Sequence, residues 1–169
     1  DFQKSTMGII HWLPHASGLF NGNHNVFVLS NALLTLNQAF RYLKALEHLD
    51  LGSTRLFPWD IHCIADGLVH LRGLRHLDLS NNVIKNACPY LAERIRYLTR
   101  LQHLNLQNTC ISDEGAVSLA MSLPYLKELE YLNLSDNPIT RSIGFMYLNV
   151  CLQDSLTLTS HAKWEEEKN

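Results

Sequence analysis

The sequence predicts an α/β solenoid, a curved, horseshoe-like stack in which short strands form a concave parallel β-sheet and helices return along the outside. Three observations predict it. A phrase recurs four times, as LEHLDL at Leu46–Leu51, LRHLDL at Leu74–Leu79, LQHLNL at Leu101–Leu106 and LEYLNL at Leu129–Leu134. The copies begin 28, 27 and 28 residues apart, a period that marks a repeat array. Each copy then continues alike, with a polar residue followed two positions later by an aliphatic one: Thr54 and Leu56, Asn82 and Ile84, Thr109 and Ile111, Asn137 and Ile139.

Each element of the repeat has its own physical reason. Alternate residues of a strand point to opposite faces, so Leu49 and Leu51, and their counterparts Leu77, Leu79, Leu104, Leu106, Leu132 and Leu134, are expected inside. The residues between them face outward. Beyond the strand the chain turns sharply and leaves backbone groups that no ladder can satisfy. An inward Asn or Thr can bond to them, so Asn31, Thr54, Asn82, Thr109 and Asn137 should form a polar spine. The chain then returns as a helix. Residues Asp113–Leu123 place Ala116, Leu119, Ala120 and Leu123 on one face, with Ser112 or Asp113 available as N-cap. Pro58, Asn86 and Thr140 or Ser142 are the corresponding start signals of the other outer helices.

The array is expected to span residues 26–160 as about five to six repeats. A shorter first unit fits through Val26, Val28, Asn31 and Leu33, and a degenerate last strand through Leu156–Leu158. Residues 1–25 fit the template poorly and are read as an N-terminal cap, a worn repeat or the end of a preceding domain. Residues 161–169, ending in WEEEKN, form an acidic C-terminal tail. The chain begins at Asp1 without an initiating Met, which suggests a fragment or a processed product.

Strand, Asn/Thr/Cys turn and long outer helix at this period resemble the ribonuclease-inhibitor-like class of leucine-rich repeats. The stretch NLQNTCISDEGAVSLA at Asn105–Ala120 is similar to that class almost position for position, and LRHLDLSNNVI at Leu74–Ile84 is similar to the C-terminal repeats of NOD-like immune receptors. The resemblance covers roughly residues 26–152. It implies a leucine-rich-repeat solenoid that binds a protein partner on its concave sheet, with the sensing or autoinhibitory region of a NOD-like receptor as one specific form. The same fold also implies alternatives: a free-standing ribonuclease-inhibitor-like regulator, a GTPase activator, a ubiquitin-ligase substrate receptor, or a structural subunit of a large assembly.

Composition narrows the classes. Hydrophobic residues make up 46% and charged residues 18%, enough apolar surface to bury a core. A formal net charge of -2 argues against a nucleic-acid partner or an electrostatically held membrane surface. No run of eighteen or more apolar residues exists, so no membrane insertion is expected. The first twenty residues do not read as a signal peptide, since His11, Pro14 and His15 cut the apolar stretch. Cys63, Cys88, Cys110 and Cys151 form no close pair of the kind zinc ribbons and redox motifs need, which points to free thiols and a cytoplasmic protein.

Stacked strands align equivalent outward positions at about 4.8 Å. One column is therefore His48, His76, His103 and Tyr131. Its neighbour is Asp50, Asp78, Asn105 and Asn133, and the next is Gly52, Ser80, Gln107 and Ser135. The first two columns are the expected partner-binding residues of the concave face. Three histidines beside two aspartates also raise a zinc site, but parallel side chains on a shallow sheet point alongside one another rather than at one centre. They raise pH-sensitive binding as well, since His titrates near neutrality. No G-x-S-x-G, phosphate-cradling glycine loop or H-E-x-x-H is present, so no catalytic, cofactor or metal residue is assigned and the chain is read as a non-enzyme. The sequon Asn133-Leu134-Ser135 falls inside a predicted strand, and Trp12, Trp59 and Trp164 are read as packing residues, Trp59 covering a solenoid seam.

Overall fold

In a computed structural model, residues 36–140 are described. Residues 36–40 are helical and lead into four strands, the first three each followed by an outer helical segment; the segment after the fourth, signalled by Thr140 or Ser142, runs on outside the described residues. The strands are β1 (His48–Asp50), β2 (His76–Asp78), β3 (His103–Asn105) and β4 (Tyr131–Asn133). They form one parallel sheet in sequence order, in the register the repeat spacing predicts: His48 pairs with His76, His76 with His103, and His103 with Tyr131. The outer helices are α1 (Pro58–Leu68), α2 (Cys88–Ile95) and α3 (Asp113–Ser122). The units expected at residues 1–25, at Val26–Leu33 and at Leu156–Leu158, and the tail 161–169, lie outside the described residues.

The eight strand leucines named above are all buried, as the alternation requires. They meet the inner faces of the helices, where Ile61, Ile64, Leu68, Leu91, Ile95, Ala116, Leu119 and Ala120 are buried as well. One continuous core thus runs along the stack between sheet and helices. Helices α2 and α3 approach closely because residue 115 is glycine: a Cβ there would lie 3.0 Å from Cys88 Cβ and 2.9 Å from Ile111 Cγ2. On the convex surface α1 and α2 are tied by Asp66, which accepts from Tyr90 Oη and pairs with Arg94 at 3.4 Å.

The polar spine lies where the turn chemistry puts it. Asn82 Nδ2 donates to the carbonyls of Leu51, Leu79 and Ser80 at 2.8, 2.9 and 3.1 Å, while its Oδ1 accepts from Leu56 N at 2.8 Å. Asn137 repeats the arrangement one pair of repeats later, donating to Leu106, Leu134 and Ser135 and accepting from the amides of Thr109 and Ile111. Thr54 and Thr109 bond to the strand-end carbonyls of Leu51 and Leu106 at 2.6 and 2.7 Å. Each Asn therefore completes the turn of the repeat before it. Asn31 lies outside the described residues. The turn itself needs a left-handed residue, supplied at Ser53, Asn81, Asn108 and Asp136 (φ 57°, 55°, 51° and 59°), mostly by the residue types that tolerate it.

Two sequence expectations about the outer segments change, and a third holds in position only. Asn86 does not start a helix: it lies in a 3-10 turn, Lys85–Ala87, and α2 begins at Cys88 with Pro89 behind it. The turn is held because the amides of Ile84 and Lys85 both donate to Thr109 O. Ser112 occupies the N-cap position of α3 without a side-chain cap bond, and Asp113 instead accepts from Thr140 N at 2.8 Å in the next repeat. Trp59 covers no seam. It is 81% exposed, because Pro58 opens α1 and directs the next residue outward, while Asp60 accepts from Phe57 N at 2.8 Å to close the helix end.

Candidate functional site: the concave face

The two predicted columns are brought together on the open face of the sheet. His48 and Asp50 are exposed, and His76, Asp78, His103, Asn105 and Tyr131 are half-buried. Asn133 is the exception at 6% exposed, covered between its neighbours. Its Nδ2 donates to Gln107 Oε1 at 3.3 Å and its Oδ1 accepts from Ser135 N, so it braces the column more than it offers a surface.

The imidazoles form a stack. The rings of His48 and His76 lie 4.1 Å apart with 18° between their planes, and those of His76 and His103 lie 4.4 Å apart at 8°. Tyr131 closes the column with its ring centre 5.7 Å from that of His103 and tilted by 34°. Nitrogen lone pairs lie in the ring planes, and planes stacked face to face do not meet at one point. The geometry thus opposes a single ion held by all three rings, and no group of three or more His, Cys, Asp or Glu among the described residues is arranged to hold a metal ion.

The central ring of the stack is held toward its neutral form. His76 titrates below the usual histidine range, first because burial penalises the imidazolium, then because His48, His103 and Arg75 repel it, with Glu47 opposing weakly. Its Nδ1 is buried with no hydrogen-bond partner among the described residues. The aspartates of the next column, which sequence proximity suggests as counter-charges, are turned elsewhere. Asp50 Oδ1 accepts from Gly52 N at 2.9 Å and Asp78 Oδ1 from Ser80 N at 2.8 Å, each closing an Asx turn at its strand end. Asn105 and Asn133 do the same for Gln107 and Ser135. Asn105 Nδ2 also donates to Asp78 Oδ2 at 2.8 Å, linking adjacent rungs. Direct spacing does not reveal this second duty, but an Asp or Asn two residues ahead of a small or polar residue at each strand end is its sequence mark.

With the geometry in place, the comparisons with known proteins bear on it. A family model described as Leucine Rich repeat matches residues 70–87 and 97–120, and a second, Leucine Rich Repeat, matches residues 128–148. These are leucine-rich repeats. Leucine-rich repeat-containing protein 36 of Mus musculus is 41% identical over 108 residues, covering 64% of this chain and 12% of that protein. The human NACHT, LRR and PYD domains-containing protein 13 is 32% identical over 97 residues, covering 56% of this chain and 9% of its own length. Among solved structures, internalin C2 of Listeria monocytogenes is similar at 20% identity and a TM-score of 0.47, covering 75% of this chain and 55% of that one. The chain thus spans about a tenth of the length of these two relatives. Leucine-rich repeats of this kind are protein-interaction modules in general, and no helix among the described residues is long and apolar enough to cross a membrane.

Proposed function

We propose that this leucine-rich-repeat array receives a protein partner on its concave sheet, centred on His48, Asp50, His76, Asp78, His103, Asn105 and Tyr131, with Asn133 bracing them. The observation that carries the reading is the in-register column of three stacked imidazoles ending in a half-exposed tyrosine. Such a face is already ordered, so a partner meets a large surface without the entropic cost of arranging it. Tyr131 is its best anchor, because a large amphipathic ring adds contact area with few rotamers to freeze. The role is binding and not catalysis. A narrower form, the sensing region of a NOD-like receptor, is supported by the likeness to the human NACHT, LRR and PYD domains-containing protein. A cytoplasmic setting belongs to the same reading, and the free thiols of Cys63, Cys88 and Cys110 fit it.

The test places a photo-crosslinking amino acid at Tyr131 or His103 and, as convex controls, at Glu93 or Met121, in cells expressing the chain. A shared partner captured from the concave positions and not from the convex ones supports the reading. Binding of that partner should then weaken in His76→Ala and Tyr131→Ala. Capture from the convex positions alone would move the binding surface to the helices.

A further inference from the structure

The chain enters each strand through a second turn, on the edge opposite the Asn/Thr spine, and this turn repeats too. It reads YLKAL from Tyr42, HLRGL from His70, YLTRL from Tyr97 and YLKEL from Tyr125. In every copy the amide of the second leucine donates to the carbonyl of the first, from Leu46 to Leu43, Leu74 to Leu71, Leu101 to Leu98 and Leu129 to Leu126. In the last three copies both leucines are buried, which turns the aromatic residue before and the basic residue after outward; in the first copy Leu43 is itself exposed. Tyr42, Tyr97 and Tyr125 are 85%, 53% and 46% exposed, and Lys44, Arg72, Arg100 and Lys127 are exposed beside them.

A cation near a helix C-terminus has an ordinary role, complementing the helix dipole. Three observations go beyond it. The first two rungs enclose a cleft of about 460 Å³ lined by Lys44, Val69, His70 and Arg72. The rungs close on each other because residue 73 is glycine: a Cβ there would lie 2.8 Å from Lys44 O. Arg75 and Arg94 are paired with acids, whereas Lys44, Arg72, Arg100 and Lys127 make no ion pair among the described residues. Farther along the same edge the Arg96 guanidinium lies 4.1 Å from the centre of the Tyr125 ring, so that ring carries a cation on its face.

We infer that this basic, tyrosine-lined edge binds an acidic, extended segment of a partner protein, one of whose carboxylates is seated in the cleft between Lys44 and Arg72. A guanidinium offers a carboxylate a planar, two-pronged site, and the neighbouring tyrosines supply contact area for the rest of the segment. A peptide suits the edge better than a nucleic acid. The adjoining positions Glu47, Glu128 and Glu130 are exposed acids, and a strand with a charge on every nucleotide would set phosphates against them. A peptide backbone is neutral and can place its carboxylates only where cations lie.

The test is fluorescence anisotropy of a labelled peptide in which glutamates are spaced by serines and glycines, and of an oligothymidylate, each about ten residues long, titrated with the full chain at low salt, where screening is weak. The peptide should bind the wild-type chain, and Lys44→Ala with Arg72→Ala should weaken it by about tenfold or more. Arg55→Ala with Lys85→Ala, in the turns that leave the strands, should leave it unchanged, as should Tyr131→Ala. The four basic side chains are exposed and Tyr131 is half-buried, and circular dichroism checks that each variant folds. No peptide binding, equal weakening by the two double variants, or loss in Tyr131→Ala overturns the assignment. Tighter binding of the oligothymidylate than of the peptide overturns it in favour of a nucleic-acid surface.

Discussion

Asn82 satisfies three backbone carbonyls and one amide from a position only 2% exposed, and its partners belong to two successive turns. Replacing it with Ala leaves those groups buried and unpaired, so Asn82→Ala should destabilise by about 1–3 kcal/mol for the groups orphaned, read from chemical denaturation. An unchanged midpoint would mean that water replaces the amide. His76 makes a prediction of different sign with pH. Its folded pKa lies below the unfolded 6.5, so its contribution is fully present above pH 6.5 and is lost as pH falls through the folded value. Thermal stability measured from pH 8 to 5 should therefore fall more steeply in the wild-type chain than in His76→Asn. Identical slopes would show that other groups set the pH dependence. The direction of this shift is not legible from sequence. Spacing places Asp50 and Asp78 near the imidazoles, and only the fold shows those carboxylates engaged with the amides of Gly52 and Ser80.

At the level of the element, the strands are short, three residues each, and their hold comes from the leucines they carry inward. Leu77 and Leu104 sit in the two central strands at 1% and 0% exposure. Truncating either to Ala should cost about 2–5 kcal/mol, with the larger values where the cavity cannot collapse. A loss well under this range in both would mean that sheet and helices close over the gap. The strands and their register were readable in the sequence because a period-two pattern inside a fixed repeat leaves one solution. Pro58 as the start of α1 and Asp113 as the start of α3 were readable for a similarly local reason. Asn86 misleads because the competing bond is remote: the carbonyl of Thr109, one repeat on, holds the preceding amides in a 3-10 turn. Trp59 misleads because an indole is usually buried, and a helix start decides its direction regardless of its hydrophobicity.

At the scale of the whole array, the contacts between the described elements run between neighbouring repeats, as expected of a stack whose stability is a sum of units and their interfaces. A pair of substitutions should therefore couple only across adjacent turns. Thr109 and Asn137 share a bond at 3.1 Å, so a double-mutant cycle of Thr109→Val and Asn137→Ala should show an interaction of about 0.5–3 kcal/mol. Asn82→Ala and Asn137→Ala share no partner and should add to within about 0.5 kcal/mol. Coupling in the second pair comparable to the first would indicate cooperativity reaching across two repeats. The candidate face was legible at this scale as aligned columns, since equal spacing forces equivalent residues into line. The face-to-face packing of the rings was not, because it depends on side-chain rotation and not on position along the strand.

The alternation of Thr54, Asn82, Thr109 and Asn137 carries a consequence for how such an array can grow or shrink. The two turn types are not interchangeable: an Asn reaches back to amides of the Thr-type turn, whereas the amides of Ile84 in the Asn-type turn take the main-chain carbonyl of Thr109. Left-handed residues follow the same alternation, at Arg55 and Cys110 directly after the threonines and not at Val83 or Pro138 after the asparagines. Excising one repeat would join two turns of the same type and leave an unmatched seam. Excising or duplicating the 55 residues from one Thr-type turn to the next would restore every seam as it stood. The heritable letter of this sequence is thus a couplet of repeats, and lineages or engineered variants should differ in length by couplets.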